Sequence, residues 1–378
     1  MKFVGLREHE AKHVWGQPAF STLSAVETAP KLPYRSSCVV ICTSVPRGLR
    51  VQGQISKNPT HLRARVDGKI VSAITVTYHT GPVFWTCIAS ILRQSELLEL
   101  IVVVNGADRD VRARLARLAE NDRRILVMEP GSNVGFAHGC NLGANIARGS
   151  HLALVNPDCS LAPGTFGAVL NIFGRQPNAW IVGGRLQHPD GQEQRGGRRE
   201  FLTPWRGFVE MTRLDLLFPN HPYFKRLHLL DETPLLEPAR VPVVSGAFMM
   251  IPRACFNRLA GMDNKFFLHV EDSDLCLRVH LKGGEVWYAG NVPIAHHRST
   301  SLVSPMFVEW HKTRGACYYF KKHFQGSYPG WSLRLLSIVL WLRLLIIAPK
   351  VLLLGLGHRD TTEVALLDPD SVRSPPAI

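Results

Sequence analysis

Short apolar runs alternate with amphipathic segments between residues 69 and 155. The strands that this pattern predicts span residues 70–77, 100–104, 125–128 and 151–155, and the helices span 84–94, 111–119 and 137–148. Buried strands that alternate with helices are typical of a mainly parallel sheet with helices on both faces, so we predict an α/β fold. In such sheets, ligands bind beyond the carboxyl ends of the strands. The polar residues that follow each apolar run are therefore the first candidates for a functional site.

The second half of the chain is less regular. Residues 185–240 combine a basic, Gly-rich patch at 195–199 with apolar pieces separated by prolines, and we expect a loop or an insert there. The later elements that the pattern predicts are a strand at 241–251, a helix at 271–282, and short strands at 285–289 and 292–295.

The most apolar segment of the chain is residues 331–356, but Arg334, Arg343, Lys350 and Pro349 interrupt it. A membrane-spanning helix needs about 20 nearly uninterrupted apolar residues, and a central Arg costs roughly 2.5 to 3.5 kcal/mol on insertion scales. We therefore predict a helix that lies in the membrane interface, with its cations reaching the headgroups. The alternative is a helix that packs on the preceding domain.

The chain of 378 residues is strongly basic, with 44 Lys and Arg against 30 Asp and Glu, a net charge of +14. Such an excess implies an acidic partner, which could be nucleic acid, an anionic membrane surface or a phosphorylated small molecule. Much of the excess lies in residues 1–65 and 301–350. We predict no nucleic-acid partner, because the chain has no recognisable recognition helix or RNA-binding motif.

The first 65 residues show no sustained period and contain neither the apolar stretch nor the cleavage site of a signal peptide. We expect a poorly ordered, basic N-terminal extension that is dispensable for solubility and activity. The predicted organisation is this extension at 1–65, an α/β domain at 66–310, a helical membrane-interface segment at 311–358 and a polar tail at 359–378.

The eight cysteines are scattered, with no CxxC pair and no Cys/His set at zinc spacing. A reducing compartment fits this usage best. With the C-terminal segment, it predicts a cytoplasmic protein that is peripheral on the inner face of the cell membrane.

Two early motifs could bind a ligand. Thr77 and Tyr78 end the first predicted strand with a hydroxyl and an aromatic face, a place to hold a base or ribose, although such strand ends are common. In the stretch 133–143, glycines open a helix where backbone N–H groups could approach a diphosphate or a sugar, flanked by Asn133 and Asn141. The alternative for this stretch is a capped helix that packs closely on the sheet.

Asp158 follows a buried strand and would hold Mg²⁺ or Mn²⁺ together with nucleotide phosphates, because these hard cations prefer oxygen ligands. A turn-forming aspartate is the alternative. His296 or His297 could add a neutral imidazole to such a site, although an isolated histidine is more often structural.

Three acids open the predicted helix at 271–282, namely Glu271, Asp272 and Asp274. One of them could accept a proton from a hydroxyl group as general base. The alternative is structural, because acids favour helix N-termini and Asp274 can pair with Arg278 four residues on.

In this order, the motifs of residues 70–301 resemble the inverting glycosyltransferases of family 2 with the GT-A fold, most closely their bacterial rhamnosyltransferase-like branch. The motifs that carry the resemblance are VTYHTGP, ELIVVVNGA, NVGFAHGCNLGA, LALVNPD, VVSGAFMMIPRACF, FFLHVEDSDLCLR and AHHRSTS.

The resemblance implies a role for each candidate. Asp272 is the expected base with Glu271 beside it, Asp158 bridges Mg²⁺ or Mn²⁺ to the donor diphosphate, and His296 is the further metal ligand with His297 as its rival. The expected substrate-binding residues are Thr77, Tyr78, Asn105, Asn133, Gly135, Asn141, Asp158 and Arg278.

The implied reaction transfers a sugar, with inversion, from a nucleotide-sugar donor to a lipid-linked or polysaccharide acceptor in cell-envelope glycan synthesis. dTDP-rhamnose is the expected donor, and the insert at 185–240 would face the acceptor. The chain departs from the family at Val104, where a carboxylate commonly contacts the base, and at Asn156, which replaces the first acid of the metal motif. The alternatives are another hexose or furanose donor, or a catalytically silent, membrane-associated binding subunit.

Overall fold

A computed structural model describes residues 39–40, 69–212, 214–218, 221–224, 227–229, 235–297 and 303–357. The predicted tail at 359–378, and the extension at 1–65 apart from two residues, lie outside the described residues. The strands are β1 (Val39–Val40), β2 (Val71–Tyr78), β3 (Leu97–Gly106), β4 (Ile125–Glu129), β5 (His151–Val155), β6 (Cys159–Leu161), β7 (Ala179–Gln187), β8 (Arg198–Arg199), β9 (Pro238–Arg240), β10 (Val243–Val244), β11 (Phe248–Pro252) and β12 (Glu285–His296). The helices are α1 (Val83–Leu92), α2 (Arg109–Asn121), α3 (Phe136–Ile146), α4 (Thr165–Arg175), α5 (Pro204–Thr212), α6 (Leu214–Leu217), α7 (Arg253–Arg258), α8 (Glu271–Leu281), α9 (Pro305–Phe324) and α10 (Gly330–Gly357).

The central sheet has ten strands in the order β1-β4-β3-β2-β5-β11-β7-β12-β6, with β9 paired to β12. Strands β4, β3, β2 and β5 are mutually parallel, and β7 and β12 run in the same direction on the far side of the antiparallel β11. The predicted mainly parallel α/β architecture is therefore confirmed. The carboxyl ends of β2, β3, β5 and β12 lie at one edge of the sheet, and the polar residues predicted from the sequence follow these ends.

Helices cover both faces of the sheet, as predicted. One core contains Phe84 of α1, Leu115 of α2 and Phe166 of α4. The opposite core contains Phe256 of α7 and Leu275 of α8, together with residues of α3.

Helix α3 lies unusually close to β2. A Cβ atom on Gly139 would lie 2.8 Å from Val76 Cγ1, and one on Gly143 would lie 2.6 Å from Ile74 Cγ2. Both distances are too short for any side chain, so these glycines allow the helix to pack on the strand. Close packing, the alternative interpretation of the Gly-rich stretch, is thus observed for two of its glycines.

Helices α9 and α10 form an antiparallel pair whose core includes Phe266, Tyr319 and Leu333. On α10, Leu336 and Leu344 are buried. The opposite face of α10 exposes large apolar side chains, namely Trp331, Leu335, Ile338, Leu342, Leu345 and Ile346. By length and composition, Gly330–Val351 could cross a membrane. The predicted domain boundary at residue 310 falls inside α9.

Candidate functional site

The ends of β2 and β3 form the first part of the site. Thr77 is buried, and its hydroxyl lies 3.2 Å from that of Thr80. The ring of Tyr78 lies over Gly106, where a Cβ atom would be 2.9 Å from the ring. Asn105 is buried, and its Nδ2 donates to the carbonyl of Gly135 at 3.0 Å. Asn105 Oδ1 has no hydrogen-bond partner among the described residues, so it can accept a hydrogen bond from a ligand.

Asp158 and His296 meet where β5 and β12 end. His296 Nε2 lies 3.2 Å from Asp158 Oδ1, and both side chains are only 11% exposed. The register of the antiparallel β6–β12 pair, in which His296 lies opposite Cys159, creates this contact. The neighbouring His297 is exposed and contributes its backbone N–H, which donates to the carbonyl of Asp158 at 3.0 Å. Of the two histidines, His296 therefore has its ring beside Asp158.

Gln194 fixes the orientation of the His296 ring. Its Oε1 lies 2.8 Å from His296 Nδ1, and its Nε2 donates to the backbone carbonyl of His296. Because Oε1 can only accept, Nδ1 is the donor in this contact, and Nε2 is the ring nitrogen that faces Asp158. Metal-binding histidines are commonly held in this way, with the other ring nitrogen donating to a carbonyl.

An imidazole nitrogen and a carboxylate oxygen that face each other form a donor set that suits Mn²⁺ or Mg²⁺. Cys159 lies close to both ligands, but its thiol faces the core and its Sγ is 3.3 Å from the carbonyl of Ala247. Burial raises the pKa of this thiol well above its usual value, with the charge of Asp158 adding to the effect. A protonated thiol is a poor metal ligand. The residues present therefore fit a divalent ion held by Asp158 and His296.

Asp272, in the first turn of α8, is the most strongly bound carboxylate of the site. Its Oδ2 accepts from Arg199 Nη2 at 2.5 Å and from the N–H of Gly246 at 3.0 Å, and its Oδ1 accepts from the N–H of Ser273 at 2.6 Å. Burial raises the pKa of Asp272, but the Arg199 charge and these hydrogen bonds outweigh burial, so the net pKa is lowered. Asp272 is therefore ionised at neutral pH.

Glu271 is adjacent but has the opposite protonation state. It is buried, and its Oε2 has no hydrogen-bond partner among the described residues. Burial, followed by the charge of Asp272, raises the pKa of Glu271 to about 8. At neutral pH, Asp272 is thus charged and the neighbouring Glu271 is protonated.

Two consecutive residues connect the acidic helix to the Asp158 loop. Gly246 donates to Asp272, and the carbonyl of the next residue, Ala247, accepts from the N–H of Asn156 at 2.8 Å. Both residues lie just before β11, which pairs with β5 in the sheet. The candidate base and the candidate metal ligands therefore share one edge of the sheet.

The start of α8 is fixed by strained backbone. His269 and Val270 have left-handed φ angles of 67° and 71°, which are rare for residues other than glycine and costly for a β-branched side chain. Such a conformation persists only where the surroundings determine it. Here the carbonyl of Phe267 accepts from the N–H of Phe136 at 2.9 Å, and the Phe267 ring stacks on His311 at 4.3 Å.

Gly135 lies directly against this segment. Its φ is +83°, and a Cβ atom would lie 2.5 Å from the carbonyl oxygen of Phe267. Its N–H donates to Asn133 Oδ1 at 3.0 Å. Asn133 and Gly135 thus bond within the protein, and their predicted contacts with substrate stay predictions.

Comparison with known proteins identifies the domain. Residues 72–258 match the family model described as glycosyl transferase family 2. The chain carries a family 2 glycosyltransferase domain. Its α/β sheet with helices on both faces and one apolar C-terminal helix agrees with the GT-A fold predicted from the sequence.

Among its relatives, the glycosyltransferase is 24% identical over 247 residues to N-acetylglucosaminyl-diphospho-decaprenol L-rhamnosyltransferase of Mycobacterium tuberculosis, covering 61% of this chain and 77% of the relative. It is 37% identical over 70 residues to rhamnosyltransferase WbbL of Escherichia coli K12, covering 18% of this chain and 26% of the relative. A crystal structure of GalNAc-T7 with UDP, GalNAc and Mn²⁺ is similar with a TM-score of 0.48 and 14% identity, over 68% of this chain and half of that one.

Two predicted substrate-binding residues of the glycosyltransferase have partners in the loop at 259–264. Asn141 Nδ2 donates to the carbonyl of Met262 at 2.7 Å, and its Oδ1 accepts from the N–H of the same residue at 2.9 Å. Arg278 bonds Asp274 at 2.7 Å and donates to the carbonyl of Leu259 at 2.7 Å. The Asp274–Arg278 pair, considered above as an alternative, is observed. These contacts are structural, and substrate binding by the two residues stays a prediction.

Sequence reasoning missed two residues that hold the glycosyltransferase's candidate site in place, Gln194 and Arg199. Both lie in the stretch that was expected to be a loop or insert. The basic patch at 195–199 was the one signal for Arg199, whereas Gln194 belongs to no motif.

Proposed function

We propose that this protein is an inverting glycosyltransferase that moves rhamnose from dTDP-rhamnose to a lipid-linked or polysaccharide acceptor in cell-envelope glycan synthesis. The observation that carries the proposal is the Asp272 carboxylate, bonded to Arg199 and Gly246, at the same sheet edge as the Asp158–His296 pair. Similarity to two rhamnosyltransferases supports the choice of sugar.

On the donor side, Thr77, Tyr78 and Asn105 would line the nucleoside pocket, with Asn105 Oδ1 free to accept a hydrogen bond. Asp158 and His296 would hold Mg²⁺ or Mn²⁺, which when bound neutralises charge on the leaving diphosphate. Gln194 would keep the His296 ring in the tautomer that this role requires.

On the acceptor side, Asp272 takes the proton of the attacking hydroxyl group. As the hydroxyl oxygen forms its bond to the anomeric carbon, the bond from that carbon to the diphosphate oxygen breaks, and the diphosphate leaves with the electron pair. Because the two oxygens lie on opposite sides of the carbon, the configuration inverts. The contacts from Gly246 and Ser273 hold Asp272 in one orientation throughout.

The proposed donor is tested by nucleotide release from a panel of nucleotide sugars, with purified protein, membrane lipid extract and Mn²⁺. We expect release of dTDP from dTDP-rhamnose, dependent on the extract, because transfer needs an acceptor. Release from a different donor would contradict the choice of rhamnose while keeping the reaction class. Silence across the panel, with no donor binding by calorimetry, would favour the silent binding subunit.

We also propose that α10 lies in the interface of an anionic membrane, on its cytoplasmic face. Its buried side packs on α9, and its other side exposes a continuous apolar stripe. Residues 301–350 carry seven Lys and Arg and only one acid, Glu309. A basic helix with one apolar face suits an interface that combines anionic headgroups with acyl chains.

Vesicle flotation tests this placement. Burial of a leucine or isoleucine side chain contributes about 1.5–3 kcal/mol, so the double variant Leu342→Glu/Ile346→Glu should bind anionic vesicles at least about tenfold more weakly. Leu236→Glu, at an exposed leucine outside the stripe, is the matched control. Unchanged flotation of the double variant would contradict the membrane assignment. So would a double variant that still binds vesicles but no longer forms a dimer that the wild type forms, because the stripe would then be a protein interface.

A further inference from the structure

The two carboxyl groups at the start of α8 differ in their hydrogen-bond partners. The two residues are consecutive; Glu271 is buried and the Asp272 side chain is 13% exposed, so both carboxyl groups are largely removed from water. Asp272 accepts from a guanidinium and two backbone N–H groups, whereas Glu271 Oε2 has no partner among the described residues. The charged partner, Arg199, comes from outside the helix.

Arg199 reaches Asp272 from the short strand β8. This strand pairs with β10, with Arg199 opposite Val243, and the carbonyl of Gly197 accepts from the N–H of Ser245 at 3.0 Å. The pairing anchors the Arg199 backbone on the segment that also supplies the N–H of Gly246 to Asp272. The Arg199 side chain is 18% exposed, so its charge is poorly screened by water.

We propose that Arg199 is a positioning residue that determines which of the two adjacent carboxyl groups acts as base. It holds Asp272 in the ionised form and leaves the proton of the pair on Glu271. Arg199 stays protonated throughout the reaction, so the only proton that moves is the one from the acceptor hydroxyl to Asp272. This inference rests on the proposed function and adds the residue that assigns its base.

The other ionisable groups around the pair do not compete with Arg199. On α8, Asp274 is already paired with Arg278, Lys322 and His323, and burial raises the pKa of Cys276 to about 12. In α3, burial and then Glu271 raise the pKa of Cys140 well above its usual value, so it is neutral.

The ionisable groups on the acceptor side do not compete with Arg199 either. His269 is neutral, because burial, followed by the charge of Lys312, lowers its pKa to about 4. On α9, Glu309 pairs with Lys312 and Arg343, and burial raises the pKa of Tyr319 beyond the physiological range. Among the residues that the structure describes, Arg199 is therefore the cation that contacts the pair directly.

The pH dependence of kcat/KM for nucleotide release tests the inference. An opposite charge in contact lowers a carboxyl pKa by about 1–3 units. Arg199→Met should therefore move the acid limb of the pH profile, where activity falls as Asp272 is protonated, to higher pH by about that amount. Activity of this variant should fall in mildly acidic buffer and recover toward the wild-type value in alkaline buffer. A purely structural defect would not be rescued by raising the pH.

Two further variants are controls for the shift of the acid limb. Arg199→Lys keeps the charge and should retain an acid limb close to that of the wild type. Arg195→Met removes a cation of the same segment that pairs with the remote Glu210, and should leave the limb in place. If the wild type is active and the acid limb of Arg199→Met does not move, the inference about Arg199 is overturned, whereas the proposed function is not. An inactive wild type would instead count against the proposed function.

Infrared spectroscopy supplies a readout that needs neither turnover nor a stable Arg199→Met variant. A protonated Glu271 should give a carboxylic C=O band at neutral pH in the wild type that is missing from Glu271→Gln. In Arg199→Lys the band should persist, because the charge is kept. Absence of this band from the wild type would refute the assignment of the proton to Glu271.

Discussion

Replacement of Asp272 by Asn is expected to lower kcat/KM for sugar transfer by about 10²- to 10⁴-fold, the usual contribution of a positioned general base. Asn cannot accept the proton of the acceptor hydroxyl, but it keeps the size of the side chain, and its single oxygen can still accept from either Gly246 or Ser273, which bond different oxygens of Asp272. Nucleotide release at saturating donor measures the loss. Donor affinity by calorimetry should change little, because Asp272 is on the acceptor side.

The matched comparison is Glu271→Gln. Gln resembles a protonated carboxyl group in shape and polarity, so activity should fall by less than about tenfold, well short of the loss of a base. Glu120→Gln, at an exposed position at the far end of α2, controls for changes in surface charge. If Glu271→Gln proved more damaging than Asp272→Asn, the roles of the two carboxyl groups would be reversed.

Removal of the divalent ion has the second large effect. Charge stabilisation by a bound metal supplies several kcal/mol, and each 1.36 kcal/mol corresponds to tenfold in rate. We therefore expect chelation, or Asp158→Ala, to lower nucleotide release by about 10²- to 10⁴-fold. Mn²⁺ should restore the chelated enzyme and leave the variant inactive.

The two histidines provide the control for this experiment. His296→Ala should weaken Mn²⁺ binding measured by calorimetry with dTDP present, because it removes the nitrogen beside Asp158. His297→Ala keeps the backbone N–H that bonds Asp158 and has an exposed side chain, so it should bind Mn²⁺ as the wild type does. Equal losses in both variants, or full activity after chelation, would contradict the assigned ligands.

The first half of the fold could be predicted because its strands are buried on both faces and appear as continuous apolar runs. The predicted strand at 151–155 matches β5, and the predicted helix at 137–148 differs from α3 only at its ends. Helix α4 and strand β7 were not predicted. Gly167 and Gly174 interrupt the apolar period of α4, and at Gly167 a Cβ atom would lie 2.7 Å from the Glu96 carboxylate.

The predicted strand at 241–251 was wrong in one respect. It is divided into β10 and β11, which belong to different sheets. The break at Ser245–Ala247 brings the N–H of Gly246 to Asp272. Short apolar runs cannot reveal such a division, since both halves are equally hydrophobic.

The sequence indicated the candidate reacting groups of the site, but it did not indicate Gln194 and Arg199, which orient them. Asp158 follows a strand, His296 ends one, and Glu271 and Asp272 open a helix, and these positions make them conspicuous. Gln194 lies 102 residues from His296 along the chain, and Arg199 lies 73 residues from Asp272. No local pattern predicts contacts over such separations. The pairing of β8 with β10 places Arg199, and the bond from the N–H of Gln194 to the carbonyl of Leu186 places Gln194 beside the β7–β12 pair.

The contact between Gly135 and the Phe267 carbonyl has a consequence for anyone who wishes to redesign donor preference. A library that randomises the whole Gly-rich stretch would consist mostly of unfolded members, since Gly135, Gly139 and Gly143 have no space for a Cβ atom. Diversity is better placed at Tyr78, the last residue of β2, and at Asn133, in the loop before α3, because both side chains are partly exposed. Directed evolution can therefore vary Asn133 in this stretch, whereas Gly135, Gly139 and Gly143 must be kept.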